Sequence, residues 1–177
     1  MDDITLIEAT LAGNVEAFGV LVEQYQHGLV ASARHLTRCT DDAEDLAQEA
    51  LIDAYTHLRS LQDRGKFRAW LFGILRHKCL NYLQRRKPEG LPIDAYAESL
   101  PAPAPPDGAE LAELLDGLPL EYREILAARY LQELSYAEIA EVLGTTVNTV
   151  RVRCCRARER LRELFAARNR VPYPFET

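Results

Sequence analysis

The 177-residue chain has few of the features that mark membrane proteins or secreted proteins. No run of about 18 apolar residues occurs, so a membrane-spanning helix is not expected. The first residues, Met1 to Thr5, have neither the basic nor the apolar region of a signal peptide. The four cysteines show no CxxC spacing and are expected to be reduced thiols. We therefore expect a cytoplasmic protein without membrane insertion.

Catalytic and metal-binding motifs are also missing. The four histidines have no HExxH or facial-triad spacing, and the chain contains no glycine-rich phosphate loop. The carboxylates follow predicted helix faces and do not converge on a nucleophile. We therefore expect neither an enzyme nor a metal or cofactor site.

Basic residues are outnumbered, because 21 Lys and Arg stand against 27 Asp and Glu, for a net charge of -6. They are concentrated in two blocks. Residues 64–87 hold eight Lys or Arg and no acid, and residues 151–170 hold eight Arg and two Glu. Each block is a local positive surface of the kind that polyanion binders carry. The charge pattern therefore predicts nucleic-acid contacts at two separate places.

Prolines are concentrated in one segment, since residues 88–108 contain six of the nine. We expect this Pro-rich stretch to be an extended linker without helix. At about 3.1 Å per residue, it could span on the order of 65 Å. The predicted organisation is an N-terminal domain of residues 1–87, the linker 88–108, a C-terminal domain of residues 109–168 and a disordered tail, 169–177.

Capping and stop signals predict four helices in the N-terminal domain. They are a short helix behind Thr5-x-x-Glu8, a long one from Asn14 to about Thr37, a third from Asp41 to near Leu58 and a fourth from Phe67 to Lys87. On the third helix a predicted inward stripe consists of Ala47, Ala50, Leu51, Ala54, Tyr55 and Leu58. The opposite face carries a predicted exposed acidic stripe of Asp42, Asp45, Glu49 and Asp53.

Four shorter helices are predicted in the C-terminal domain, at residues 109–115, 119–131, 135–143 and 146 to about 167. A capping box at Ser135-x-x-Glu138 and a turn at Gly144 separate the last two. This is the helix-turn-helix layout of a major-groove reader. An Arg-rich solvated helix is the alternative, and the capped preceding helix favours DNA binding. Thr146 is the predicted cap of the last helix. The side chains predicted to reach base edges are those of Asn148, Thr149, Arg151 and Arg153. Those predicted to lie along phosphates are Arg156, Arg158 and Arg160.

The first basic block differs from the second because aromatic residues lie between its charges. Its candidate binding residues are Lys66, Phe67, Arg68, Trp70, Arg76, Lys78, Asn81, Arg85 and Arg86. Aromatic rings that stack on bases contribute about 1–3 kcal/mol per base, so this mixture suits unpaired nucleotides. The alternative is an amphipathic core helix, which we expect for Leu71, Ile74 and Leu75. Trp70 fits both interpretations.

Several short motifs occur together in one order. They are AEDLAQEA at residues 43–50, FRAWL at 67–71, NYL at 81–83, LSYAEIA at 134–140 and TVR at 149–151. Together they resemble a bacterial RNA polymerase sigma factor of the extracytoplasmic-function (ECF) class, over about residues 14–165. The resemblance implies an all-α fold in which a sigma2-like helical bundle and a sigma4-like helix-turn-helix domain are joined by the linker.

The resemblance also implies roles for the candidate residues. The acidic segment would dock on the clamp helices of the polymerase beta-prime subunit through Asp42, Asp45, Gln48 and Glu49. The nine residues of the first basic block would bind the non-template strand of the -10 element. The -35 element would be read by Thr146, Asn148, Thr149, Arg151, Arg153, Arg156 and Arg158.

Further partners follow from the same resemblance. The helix from Pro119 would lie near the beta-subunit flap, and an anti-sigma factor would hold both domains. Many relatives have Gly where this chain has Asn148, and Val147 makes the start of the recognition helix unusually apolar. The -35 sequence preference is therefore not transferable.

The predicted function is that of a sigma factor, which binds core RNA polymerase, directs it to promoters and promotes DNA melting. One alternative is a stand-alone helix-turn-helix regulator that binds duplex DNA as a dimer, and a more distant one is an RNA-processing or other nucleic-acid enzyme. Tight binding to a palindromic site without polymerase would favour the regulator.

Overall fold

The computed structural model describes residues 2–101 and 110–169, and every regular element in these two ranges is helical. The prediction of an all-α fold is therefore confirmed. The helices are α1 (Asp3–Leu11), α2 (Val15–Thr37), α3 (Ala43–His57), α4 (Phe67–Arg86), α5 (Ile93–Ser99), α6 (Glu110–Asp116), α7 (Leu120–Leu126), α8 (Tyr136–Leu143) and α9 (Val147–Asn169). Short 3-10 turns lie at Leu58–Ser60 and Arg64–Lys66, and a π-helical segment, Ala127–Leu131, follows α7. Within these ranges no helix combines the length and the apolar character needed to span a bilayer.

The caps of the N-terminal helices agree only partly with the predicted ones. Asn14 caps α2 as predicted, because its side-chain oxygen accepts a hydrogen bond from the backbone N–H of Ala17 at 3.3 Å. Thr5 does not cap α1. Its backbone N–H instead donates to the carboxylate of Asp2 at 2.8 Å, so the cap lies three residues earlier than predicted. Asp42 precedes α3 without a side-chain capping bond.

The core of the N-terminal domain forms where α1, α3 and α4 pack on α2. Helix α4 turns a single apolar face inward because its buried residues recur at helical spacing. Apart from Ala69, which is buried beside the groove, these residues are Phe67, Leu71, Phe72, Leu75, Cys79 and Leu83. The opposite side of α4 is consequently left for polar and charged side chains.

The linker contains a helix that the sequence did not predict. Residues Ile93–Ser99 form α5, so the prediction that residues 88–108 are extended throughout is wrong for this stretch. The prolines permit the helix because Pro92 and Pro101 flank it without interrupting it. Burial of Ala97 fixes α5 against the rest of the molecule. Residues 102–108 of the linker lie outside the described residues, as do Met1, Ala109 and the tail residues 170–177.

Arg38 holds α5 in place. It ends α2 in the left-handed conformation, with φ of 52°. Its guanidinium donates hydrogen bonds to backbone carbonyls at the C-terminal ends of α5 and α6: Glu98 at 2.9 Å, Leu100 at 2.8 Å, Leu118 at 3.4 Å, and Asp116. One side chain of the N-terminal domain thus joins the linker to the C-terminal domain.

The two domains pack against each other through the C-terminal half of α2. Asp116, fully buried at the end of α6, accepts a hydrogen bond from Arg34 at 3.2 Å and lies 2.8 Å from Nδ1 of His35. The Gln132 amide donates to the Ser32 hydroxyl at 2.9 Å, also in a buried setting. Polar groups that are buried in this way are stabilised because each has a partner.

The predicted helix-turn-helix is present in the C-terminal domain. Ser135 and Glu138 form the predicted capping box of α8, since each side chain accepts a hydrogen bond from the other residue's backbone N–H. Gly144 ends α8 in the left-handed conformation, with φ of 62°. The inward face of α9 consists of Val150, Cys154, Ala157 and Leu161. All four cysteines of the chain are free thiols.

Candidate nucleic-acid interface

An open groove of about 1100 Å³ lies along α3 and α4. Most of the residues predicted for strand binding line it. These residues are Lys66, Trp70, Lys78, Asn81, Arg85 and Arg86. They meet there because lining residues 66, 70, 74, 77, 81 and 85 recur every three or four positions along one face of α4 and the turn before it, and Lys78 and Arg86 flank this face. The groove therefore combines cations, an amide and an aromatic ring on one surface.

Trp70 lies where both interpretations of the sequence would place it, between the core and the groove. Its indole packs against the core, with the ring centre 6.1 Å from that of Phe67, and it also lines the groove. A partly buried aromatic residue of this kind offers a rigid wall for stacking at small entropic cost.

Phe67 does not belong to the groove surface, so the prediction that it binds nucleic acid is corrected. Only 1% of the residue is exposed, and its ring packs edge-on to Tyr25 with the ring centres 5.6 Å apart. The reason is its position, because it begins the inward apolar face that continues through Leu71 and Leu75.

Arg68 and Arg76 lie outside the groove and face the C-terminal domain. The guanidinium of Arg68 lies 3.1 Å from Glu133, and that of Arg76 lies 2.6 Å from Glu124. Burial raises the pKa of the Glu124 carboxyl, although Arg76 acts in the opposite direction. These two predicted binding residues are therefore occupied by partners within the chain.

The charged groups in the groove are held by short networks. Lys78 lies 2.7 Å from Asp53 and 3.5 Å from Glu49. The amide of Asn81 lies 3.0 Å from Nε2 of His77, and both side chains are exposed. His77 and Tyr82 also line the groove, although the sequence did not single them out. The available signal was helical spacing, because His77 lies seven residues, or about two turns, after Trp70 and Tyr82 lies four residues after Lys78.

Asp42 belongs to the groove end of this network. Its carboxylate accepts a hydrogen bond from the Tyr82 hydroxyl at 2.5 Å and pairs with Arg86 at 3.1 Å. The hydrogen bond from Tyr82 is the main cause that lowers the pKa of Asp42. The Arg86 guanidinium also lies over the ring of Tyr82, 4.4 Å from its centre.

The exposed face of α3 holds the remaining residues predicted for polymerase docking, Asp45, Gln48 and Glu49. Two apolar residues lie beside them. Ile52 is 64% exposed and Tyr55 is 44% exposed, so Tyr55 is not part of the inward stripe in which the sequence placed it. Tyr55 instead covers Phe18 edge-on, with the ring centres 5.0 Å apart. The face is therefore acidic with an apolar centre.

Helix α9 turns Asn148, Arg151, Val152 and Cys155 to solvent, because they lie opposite its buried face. Thr146 and Thr149 are engaged locally, since the Thr146 hydroxyl accepts from the backbone N–H of Thr149 at 3.2 Å. The remaining predicted residues lie on the flanks of the helix. Arg153 is partly buried and lies 3.9 Å from Glu121, whereas Arg156 and Arg158 are exposed. Val152 and Cys155 are exposed residues that the sequence did not single out.

Over the described part of the chain, no cluster of His, Cys, Asp and Glu side chains could hold a metal ion.

The geometry defines a class of protein: an all-α, two-domain molecule with a helix-turn-helix in one domain and a groove lined by charged and aromatic side chains on the helical bundle of the other. Comparison with known protein families assigns both domains to the same family. Residues 21–89 match the model of Sigma-70 region 2, and residues 108–161 match that of Sigma-70, region 4. The ECF RNA polymerase sigma-E factor of Escherichia coli strain K12 is 36% identical, over 90% of this chain and 92% of that protein. The ECF RNA polymerase sigma factor SigW of Bacillus subtilis strain 168 is 30% identical, over 89% and 93%.

Two solved structures also resemble this chain over most of its length. CnrH, in complex with the cytosolic domain of CnrY, matches with a TM-score of 0.71 and 29% identity over 94% of this chain and 99% of that chain. The sigma factor RpoE, in complex with the anti-sigma factor NepR from Bartonella quintana, matches with a TM-score of 0.68 and 26% identity over 86% and 98%. The chain therefore belongs to the ECF family of RNA polymerase sigma factors, which are non-catalytic transcription initiation factors.

Proposed function

We propose that this sigma factor selects promoters by dividing the work between two surfaces. The α3–α4 groove captures the non-template strand of the -10 element and promotes melting, and the outward face of α9 reads the -35 duplex. The groove carries the proposal, because six of the nine residues predicted for strand binding line one cavity.

The groove suits an extruded base. Removing a base from the stack costs about a few kcal/mol, which stacking and hydrogen bonding in a pocket can offset. Trp70 supplies an aromatic wall, Asn81 an exposed amide and Arg85 an exposed cation. The indole ring can stack on the face of a base, the amide can form hydrogen bonds with its edge, and the guanidinium can pair with a phosphate.

The α9 face suits base edges in a major groove. Arg151 can donate to guanine O6 and N7, and Asn148 can pair with an adenine edge. Val152, exposed next to them, can contact a thymine methyl group. Arg156 and Arg158 flank this face, in positions suited to phosphates.

Partner binding completes the proposal. The exposed α3 face, with Asp45, Gln48, Glu49 and Ile52, docks on the beta-prime clamp helices, and the region from Pro119 lies near the beta flap. A chain of net charge -6 binds DNA weakly by itself, and docking on the cytoplasmic polymerase raises its effective concentration at the promoter. The solved relatives CnrH and RpoE are bound to CnrY and NepR, which supports an anti-sigma partner here as well.

Transcription with purified core polymerase on a genomic template library tests the function, and a promoter-dependent transcript is expected. We expect Asn81→Ala to weaken opening of closed promoters and to be largely rescued by a pre-melted bubble. Arg151→Ala should weaken binding to the -35 element, because a bidentate contact to a base contributes about 1–3 kcal/mol. A pre-melted bubble should not rescue this variant.

Gln84→Ala is the matched control, because Gln84 is exposed on α4 but does not line the groove. It should leave opening unchanged. Equal rescue of Asn81→Ala and Arg151→Ala would contradict the division of work, and the absence of any promoter-dependent transcript would contradict the function itself.

A further inference from the structure

Two arginines, one from each domain, meet at the last turn of the linker helix α5. Arg38, which ends α2, donates to the backbone carbonyls of Glu98 at 2.9 Å and Leu100 at 2.8 Å. Arg123 of α7 donates to the neighbouring carbonyl of Ala97 at 3.4 Å. The two guanidiniums therefore lie against the same end of one short helix.

Arg123 is enclosed but has few hydrogen bonds. Only 1% of the residue is exposed. The long bond to Ala97 is the one hydrogen bond that its guanidinium makes with the described residues, and its Nε and Nη1 atoms have no partner among them. The Nε atom of Arg38 is also buried without a partner in this part of the chain. Because native proteins leave few buried donors unsatisfied, these N–H groups are expected to have an acceptor.

The positive charge of this pair has no direct counter-charge. All hydrogen bonds of the two guanidiniums within the described ranges go to backbone carbonyls. The buried carboxylates of the same region are engaged elsewhere, since Asp116 binds Arg34 and His35 and Glu124 binds Arg76. The region consequently holds more buried cations than buried anions.

Arg123 keeps its charge at neutral pH despite its burial. Burial lowers the pKa of Arg123 to about 10, and the charge of Arg38 acts in the same direction. Glu98 acts in the opposite direction, but its side chain is exposed. A buried charge without a counter-charge is costly. A water molecule would accept hydrogen bonds from the free N–H groups without neutralising the charge, whereas an anion does both.

From this arrangement we propose that the protein binds a small monovalent anion, of the size of chloride, between Arg38 and Arg123 at the C-terminal end of α5. The ion is small because Arg123 is almost fully enclosed, and monovalent because the cost of removing hydration rises with charge. It joins the linker helix to both domains. Neither arginine lines the α3–α4 groove or belongs to α9, so the site is separate from the proposed DNA-binding surfaces.

Thermal unfolding of the full-length protein tests the site. Sodium chloride is substituted stepwise for sodium gluconate at constant ionic strength, because gluconate is too large to enter. A ligand in about tenfold excess over its Kd multiplies the folding equilibrium constant about elevenfold. For a protein of this length, the corresponding rise in Tm is about 3–6 °C. We expect chloride to raise the Tm of the unmodified protein by this amount.

Arg123→Met is the test variant, because it replaces the guanidinium by an apolar side chain of similar length. Replacement of buried charged groups by apolar ones is often neutral or stabilising. We therefore expect its Tm in gluconate to equal or exceed that of the unmodified protein, and the rise with chloride to disappear. Arg59→Met is the matched control, since it removes the same charge from an exposed arginine just after α3. It should keep the full response to chloride.

Two measurements on the unmodified protein are independent of any variant. Bromide can replace chloride and scatters X-rays anomalously, so crystals grown in sodium bromide show where the ion lies. We expect an anomalous peak within hydrogen-bonding distance of both Arg38 and Arg123. Amide hydrogen exchange in α5 should also be slower in chloride than in gluconate, because the ion holds the last turn of this helix.

The proposal is overturned if Arg123→Met responds to chloride as the unmodified protein does, or if no bromide peak lies between the two arginines. Should Arg123→Met fail to fold, the position of the bromide decides alone. Neither outcome affects the proposed promoter function, which transcription with core polymerase tests separately.

Discussion

At the scale of single residues, the groove depends on hydrogen bonds and ion pairs among neighbouring side chains. Asp42 illustrates this, because it contacts Tyr82, Arg86 and the Cys39 thiol. The sequence predicts Asp42 as a surface carboxylate for docking. In the structure it organises the end of the groove, so the docking face that we propose begins at Asp45.

Tyr82→Phe tests this role. The variant removes the hydrogen bond that chiefly lowers the Asp42 pKa below its ordinary value of 3.8. A carboxyl with a lowered folded-state pKa contributes stability above its unfolded pKa, and the contribution is lost as pH falls through the folded value. We expect a loss of about 1 kcal/mol in the free energy of unfolding near neutral pH, and a smaller loss in acid.

Urea unfolding at neutral and acidic pH measures the effect. Tyr55→Phe is the control, because Tyr55 is exposed and its hydroxyl makes no hydrogen bond within the described residues. An equal loss at both pH values would mean that Tyr82 acts by packing and not through Asp42.

At the scale of elements, two glycines with opposite roles allow a test of helix boundaries. Gly144 ends α8 with φ of 62°, and Gly19 lies within α2 with an ordinary helical φ; nothing lies within 4 Å of a Cβ at either position. We expect Gly144→Ala to destabilise the protein by about 1 kcal/mol and Gly19→Ala to stabilise it by about 0.5–1 kcal/mol. Thermal unfolding measures both. If both substitutions changed the stability of the protein in the same direction, the backbone conformation of the glycine would not determine the effect.

Elements with local signals were predictable, and those that depend on distant residues were not. The caps at Asn14 and Ser135 and the turn at Gly144 lie within a few residues of the helices that they delimit. Helix α5 has no such signal, because it is held by Arg38, about 60 residues earlier in the chain. A proline-rich sequence alone therefore predicted an extended chain.

The same distinction applies to the candidate site. Periodicity on α4 predicted which residues share a face, and six of them line the groove. It could not predict that Arg68 and Arg76 face Glu133 and Glu124, which lie 65 and 48 residues away in sequence. Phe67 is different, because its four-residue spacing to Leu71, repeated at Leu75, already indicates the inward face.

At the scale of the whole molecule, the domains form a single packed unit around Asp116. Its buried carboxylate has partners only in the other domain among its described side-chain contacts, namely Arg34 and His35. The basic block of the N-terminal domain also faces glutamates of the C-terminal domain, through the ion pairs Lys66–Glu141, Arg68–Glu133 and Arg76–Glu124. Cooperative unfolding of both domains is the expected consequence, because neither can unfold without exposing the surface of the other.

Asp116→Ala should break this coupling. It leaves Arg34 and His35 buried without their carboxylate, and removal of one partner from a buried pair costs about 3–5 kcal/mol. In the unmodified protein we expect urea transitions followed by Trp70 fluorescence and by far-UV circular dichroism to coincide. Trp70 is the single tryptophan and lies in the N-terminal domain, so in Asp116→Ala the two transitions should separate. Asp41→Ala is the control, because it removes an exposed carboxylate between α2 and α3. The two transitions should remain coincident in this variant. Coincident transitions at an unchanged midpoint in Asp116→Ala would show that the domains are coupled by other contacts.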